Sequence, residues 1–135
     1  MFSFPDTTKR VELNTDECIN EKIRKRTLKN IEYYTNKENE EIISRIKKLN
    51  KEWDIERLLE ANAASAVILS TMLGLKVNKK WFYISGIVGG FLLQHALQGW
   101  CPPVPIFRRL GVRTSSEINY EKELLGKLLK AHGSY

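Results

Sequence analysis

Charge is missing from two long stretches of this 135-residue chain: 15 residues from Ala61 to Leu75, and 27 from Trp81 to Phe107. Acid is scarce through the whole second part. Residues 61 to 135 hold 9 Lys/Arg against 3 Asp/Glu, whereas residues 1 to 60 hold 13 of each, so the net charge of +6 lies entirely beyond residue 60. Other scarcities narrow the class. Two cysteines exclude a disulfide-dense scaffold. Eight glycines and four prolines without a period exclude a collagenous chain, and 42% apolar residues exclude a wholly disordered one. The length allows one domain and excludes a multi-domain enzyme.

What is present is an apolar pattern on the scale of a membrane. Trp81 to Trp100 covers 20 positions, about 30 Å as a helix, which matches the hydrocarbon core of a bilayer. Trp81, Phe82 and Tyr83 at one end and Trp100 at the other stand where an aromatic belt holds the two interfaces. The first uncharged stretch is long enough when its helix starts near Leu58, with Glu60 and Lys76 close to opposite head-group regions. The sequence therefore predicts an all-α protein: a two-helix transmembrane hairpin, spans about 58–76 and 81–101, with cytoplasmic amphipathic helices before and after it. A soluble bundle is the competing reading. It would need a polar face on each core helix, and residues 81 to 107 have none. The apolar run starts too far from the N-terminus for a cleaved secretory signal.

Basic residues near the span ends set the expected orientation. Lys47, Lys48, Lys51 and Arg57 precede the first span, and Arg108, Arg109, Arg113 and Lys122 follow the second. Lys76, Lys79 and Lys80 lie in the turn. This balance favours both termini in the cytoplasm, where Cys18 and Cys101 would be free thiols. Trp81, Trp100, Arg108, Arg109 and Arg113 are the expected interfacial anchors, the arginines with phosphate head groups as ligands. Small residues Gly86, Gly89 and Gly90 on the second span, and Ala61 and Ser65 on the first, allow close helix packing. The partner of that glycine face is either the chain's own first span, which is favoured, or a second copy.

Three divisions follow: residues 1–51 as an N-terminal helical segment, 52–123 as the hairpin domain and 124–135 as a C-terminal helical tail. In the first, Thr15 to Glu17 reads as a helix start, and Ile19, Ile23 and Ile31 mark a stripe. The chain breaks around residues 36–39. Ile42, Ile46, Leu49 and Trp53, at spacings of four, three and four, predict one face of a second helix that runs without Pro or Gly into the first span. Lys22, Arg24, Lys25, Arg26 and Lys29 form one basic cluster. Its functional reading is contact with anionic lipid or nucleic acid; with acids close by it reads instead as a solvated helix face, and no nucleic-acid partner is expected. After Ser115, Ser116 and Glu117, an apolar stripe of Ile118, Leu124, Leu125, Leu128 and Leu129 predicts a last helix, imperfectly spaced between 118 and 124.

Chemistry, if any, belongs at the far end of the second span, where Gln94, His95 and Gln98 interrupt an apolar run ahead of Cys101, Pro102 and Pro103. Cys101 is the candidate reactive thiol, with His95 tuning it. The bland reading is a small residue packed at a Pro-rich exit, with His95 and the glutamines bonded to the first span. One His and one Cys six apart, with Cys18 and His132 elsewhere, make no zinc set, and no metal or cofactor is expected.

The runs EWDIERLLE (52–60), FLLQHALQGWCPP (91–103) and RRLGVRTSSEINYE (108–121) resemble the YgaP-like transmembrane domain family, small prokaryotic inner-membrane domains of two helices. The shared pattern is Arg57 and Asn62 leading into the first helix, then Trp100, Cys101 and Pro102, then Leu110, Gly111 and Thr114. The resemblance implies a bacterial inner membrane and cytoplasmic ends. Some members carry a rhodanese sulfurtransferase domain. The segment around Cys18 (CINEKIR) lacks the anion-cradling loop of one, and this length leaves no room for that domain. The expectation is a non-enzymatic anchor or interaction subunit, whose partners are the bilayer and either itself or another membrane protein. The alternative is a thiol or sulfur relay through Cys101 toward a sulfur-handling protein.

Overall fold

A computed structural model describes residues 4–133, and every regular element among them is helical. In chain order these are α1 (Arg10–Leu13), α2 (Glu17–Thr35), α3 (Asn39–Lys51), α4 (Ile55–Lys76), a 3-10 turn (Lys79–Trp81), α5 (Phe82–Gln98), α6 (Pro103–Arg109) and α7 (Ser115–Ala131). Local chemistry sets most of the starts. The Asp16 carboxylate accepts from the Cys18 amide at 2.9 Å and caps α2. Thr114 and Glu117 form a reciprocal capping box at α7. Pro103 stands in the first turn of α6, where a missing N–H costs nothing.

α3 does not run into α4. Asp54 caps α4 by accepting from the Arg57 amide at 2.8 Å, and the Ile55 amide donates to the Arg113 carbonyl at 2.9 Å, so the chain turns at residues 52–54. Trp53 accordingly leaves the apolar face of α3. It is 47% exposed, with the Arg57 guanidinium 4.6 Å over its ring. α5 also departs from expectation by ending at Gln98. Gly99 adopts φ 80 as its C-cap, and a side chain there would lie 2.5 Å from the Arg10 carbonyl oxygen. α7 runs unbroken through residue 123, so the expected 124–135 tail begins inside that helix.

Two apolar cores result. One joins α3 and α7 through Ile42, Leu49, Ile118, Leu125 and Leu129, with Ile31 of α2 packed against it. The other lies where α1, α4 and α6 meet: Val11, Ile55, Leu59, Cys101 and Val104. Beyond that second core, α4 and α5 pack antiparallel on one another alone. α4 buries only Ser70 and Gly74 past Leu59, and α5 buries only His95. Among the described residues, the segment Asn39–Lys76, which holds α3 and α4, includes the one stretch long and apolar enough to cross a membrane, and 17% of that stretch is buried.

Candidate functional site

At the base of the α4–α5 pair, three elements converge on one buried polar cluster. His95 of α5 is 2% exposed, and its Nε2 lies 2.9 Å from Glu56 Oε2 of α4. The other carboxylate oxygen of Glu56 accepts from Arg10 Nη2 of α1, also at 2.9 Å. Asn14 then ties α1 to the end of α5 by donating to the Gln98 carbonyl at 2.6 Å. His95 thus spends one ring nitrogen on α4, and its Nδ1 is buried without a hydrogen-bond partner, as is Arg10 Nε.

Cys101 lies beside this cluster but is not joined to His95. The thiol is 4% exposed, and burial pushes its pKa up, partly offset by the Val104 amide and reinforced by the nearby Glu56 charge. That is the setting of a packed cysteine, since the thiolate is the nucleophile and burial disfavours it. Cys18 is free and exposed. No group of three or more His, Cys, Asp or Glu placed to hold a metal occurs among the described residues.

Arg108 and Arg113, expected at the head groups, turn inward instead, 0% and 1% exposed. The Arg108 guanidinium donates to both oxygens of Glu117, at 2.5 and 3.2 Å, to Asn20 Oδ1 at 2.7 Å and to the Val112 carbonyl at 3.1 Å. Arg113 takes Glu52 in a fork at 3.1 and 2.5 Å and also pairs with Glu121, which holds Arg45 at 3.0 Å. Burial works against the Arg113 charge, but Glu52 and Glu121 outweigh it and hold the guanidinium even more firmly protonated. The planar fork suits such carboxylate pairs, which is why these arginines are internal fasteners. Arg109 stays exposed, Trp81 is 38% exposed and Trp100 is half-buried.

The glycines behave differently from expectation as well. Nothing lies within 4 Å of a side chain built at Gly86, Gly89 or Gly90, so that face of α5 does not meet α4. The close approach is made by Gly74, whose added Cβ would lie 2.9 Å from the Phe82 ring, and by Ser70 and Ser85, whose hydroxyls are 2.5 Å apart. Ala61 is half-buried, and exposed Ser65 bonds back to the Ala61 carbonyl of its own helix at 2.7 Å. Sequence reasoning missed Glu56, Arg10 and Glu121 as structural partners. The imperfect stripe between 118 and 124 was the signal for Glu121.

No curated protein and no solved structure matches the chain. Residues 54–117 match the family model described as inner membrane protein YgaP-like, transmembrane domain. The match opens on the residue that caps α4 and closes on the carboxylate that holds Arg108, while α2 and α3 lie outside it. From Asp54 to Glu117, then, the chain is similar to the YgaP-like transmembrane domain.

Proposed function

We propose that the protein is an integral inner-membrane component whose α4–α5 pair crosses the bilayer twice, with α1–α3, α6 and α7 on the cytoplasmic side. In this reading it serves as a non-enzymatic anchor or interaction subunit. One observation carries it. Side chains such as Ile68, Leu69, Leu75, Ile87, Leu93 and Leu97 are 44–76% exposed along the outside of the pair. At about 1.5–3 kcal/mol for each large apolar side chain fully withheld from burial, these six at their exposure would forgo about 5–11 kcal/mol in water, as much as the roughly 5–15 kcal/mol by which a whole domain is stable. Acyl chains accept such a surface without that loss. α4, at 22 residues, and α5, at 17, have lengths of about 33 and 25 Å, and the Lys79–Trp81 turn extends the second.

Orientation rests on the basic residues that flank the base of the pair against the three lysines of the far turn. His95 and Glu56 fit the same picture, because a polar group near the interface needs a partner and each supplies the other. The relay reading finds no support in a buried thiol whose pKa is raised. Fractionation tests the proposal: the full chain should sediment with membranes and resist alkaline carbonate extraction. Recovery in the supernatant without detergent would refute it.

A further inference from the structure

α2 separates two grooves of opposite character. On one side Glu12, Glu17, Glu21 and Glu117, against the single cation Arg24, line an acidic groove. On the other, Lys22 and Arg26 of α2 face Arg109 and Leu110 at the end of α6 across an open groove of about 540 Å³. Two of the basic residues named as one cluster pair elsewhere: Arg24 lies 2.6 Å and Lys25 4.0 Å from Glu21. Lys22 and Arg109, both exposed, have no carboxylate partner among the described residues. The groove's one acid, Asp16, is turned to the Cys18 amide as the α2 cap.

Arg26 is placed by the backbone of the family domain itself. Its Nη2 donates to the Gly111 carbonyl at 2.8 Å, and Gly111 adopts φ 88. A side chain at Gly111 would collide with the Arg26 guanidinium, so the left-handed turn both bends the chain after α6 and admits the arginine. Leu110, the C-cap of α6, lines the same groove and is 73% exposed, and Ile106, four residues earlier, is 61% exposed. α6 begins five residues after α5 ends. A short helix so close to a span, with exposed apolar residues next to free cations, suits the boundary between acyl chains and head groups.

We infer that the groove between α2 and α6 binds the phosphate of an anionic glycerophospholipid, with Lys22, Arg26 and Arg109 around the head group and Ile106 and Leu110 against its acyl chains. The inference rests on the membrane reading above and adds a specific lipid site built partly from the N-terminal helices. Charge complementarity selects the ligand: three cations converge, and the acidic groove leaves a phosphate only this side of α2. The apolar pair on α6 selects a lipid over a free anion.

Native mass spectrometry of the full chain in mild detergent, with phosphatidylglycerol and phosphatidylcholine added in equal amounts, tests it. The wild type should retain phosphatidylglycerol preferentially. Lys22→Gln/Arg109→Gln, at two exposed positions, should reduce that preference by tenfold or more, from roughly fivefold for each charge removed. Lys47→Gln/Lys48→Gln, which removes the same charge from α3, should leave it unchanged. Equal retention by the wild type and the groove variant, or an equal loss in the α3 variant, would overturn the inference. So would displacement of the lipid by added inorganic phosphate, which would mark a free-anion site. A chain soluble without detergent would instead remove the membrane reading itself, so the two failures are distinguishable.

Discussion

Glu121 sits within the buried stripe of α7, between Ile118 and Leu125, and is itself fully buried. Its carboxylate bridges Arg113 and Arg45, so the polar interruption in an apolar stripe is a fastener between α7, α3 and the segment after α6. Glu121→Leu keeps the bulk but leaves Arg113 buried with half its partners. It should lower stability by about 3–5 kcal/mol, read from the denaturation midpoint in detergent. A loss under about 1 kcal/mol would mean that Glu52 alone suffices. Glu12 gives a pH-dependent counterpart. Burial first, then the Glu117 charge, raises its pKa above the ordinary 4.5, while Arg108 and Lys9 pull the other way. With the folded value above the unfolded one, the stability associated with this carboxyl is present below the unfolded pKa and is lost as pH rises through the folded pKa. Glu12→Gln should therefore stabilise the protein near neutral pH, by less than about 1 kcal/mol once solvent screening of a half-exposed group is allowed for. The gain should vanish below the unfolded pKa, as parallel thermal melts at the two pH values would show.

For the helices, the contrast between glycines makes the packing testable. Gly74→Val drives a branched side chain into the Phe82 ring and should cost about 1–3 kcal/mol, whereas Gly90→Val meets nothing and should change monomer stability by less than about 0.5 kcal/mol. Thermal melts of the two variants in the same detergent decide it, and equal losses would mean that the glycine face is occupied. Which elements could be read in advance follows the same physics. The α4–α5 pair was legible because an absence of charge over a membrane's length is a strong signal. The α3–α4 break was not, because its cause is partly remote: Asp54 is a local cap, but the carbonyl that receives the Ile55 amide belongs to Arg113. The early end of α5 had a local signal in Gly99, yet the weight given to Trp100 drew the boundary outward. Spacing placed Gly86 and Gly90 on one face without saying which neighbour that face meets. Likewise, the inward turn of Arg108 and Arg113 depends on carboxylates brought in from α7 and from residue 52.

For the whole molecule, the separation of a charged base from a largely apolar pair makes sidedness the property to measure, and the two cysteines report it without engineering. Cys18 is exposed on α2, and Cys101 is buried in the core beneath the pair, its thiol raised by that burial. If the base is cytoplasmic, the orientation proposed from the Lys and Arg around it, a membrane-impermeant maleimide should label one thiol per chain in inverted vesicles and none in right-side-out ones. Cys18→Ser should abolish that label and Cys101→Ser should leave it intact. Labelling of Cys18 from the outer face would reverse the topology. Rapid labelling of Cys101 in folded protein would restore the thiol-relay reading, because a reagent would then reach a sulfur that the packing of Val11, Ile55, Leu59 and Val104 is expected to exclude.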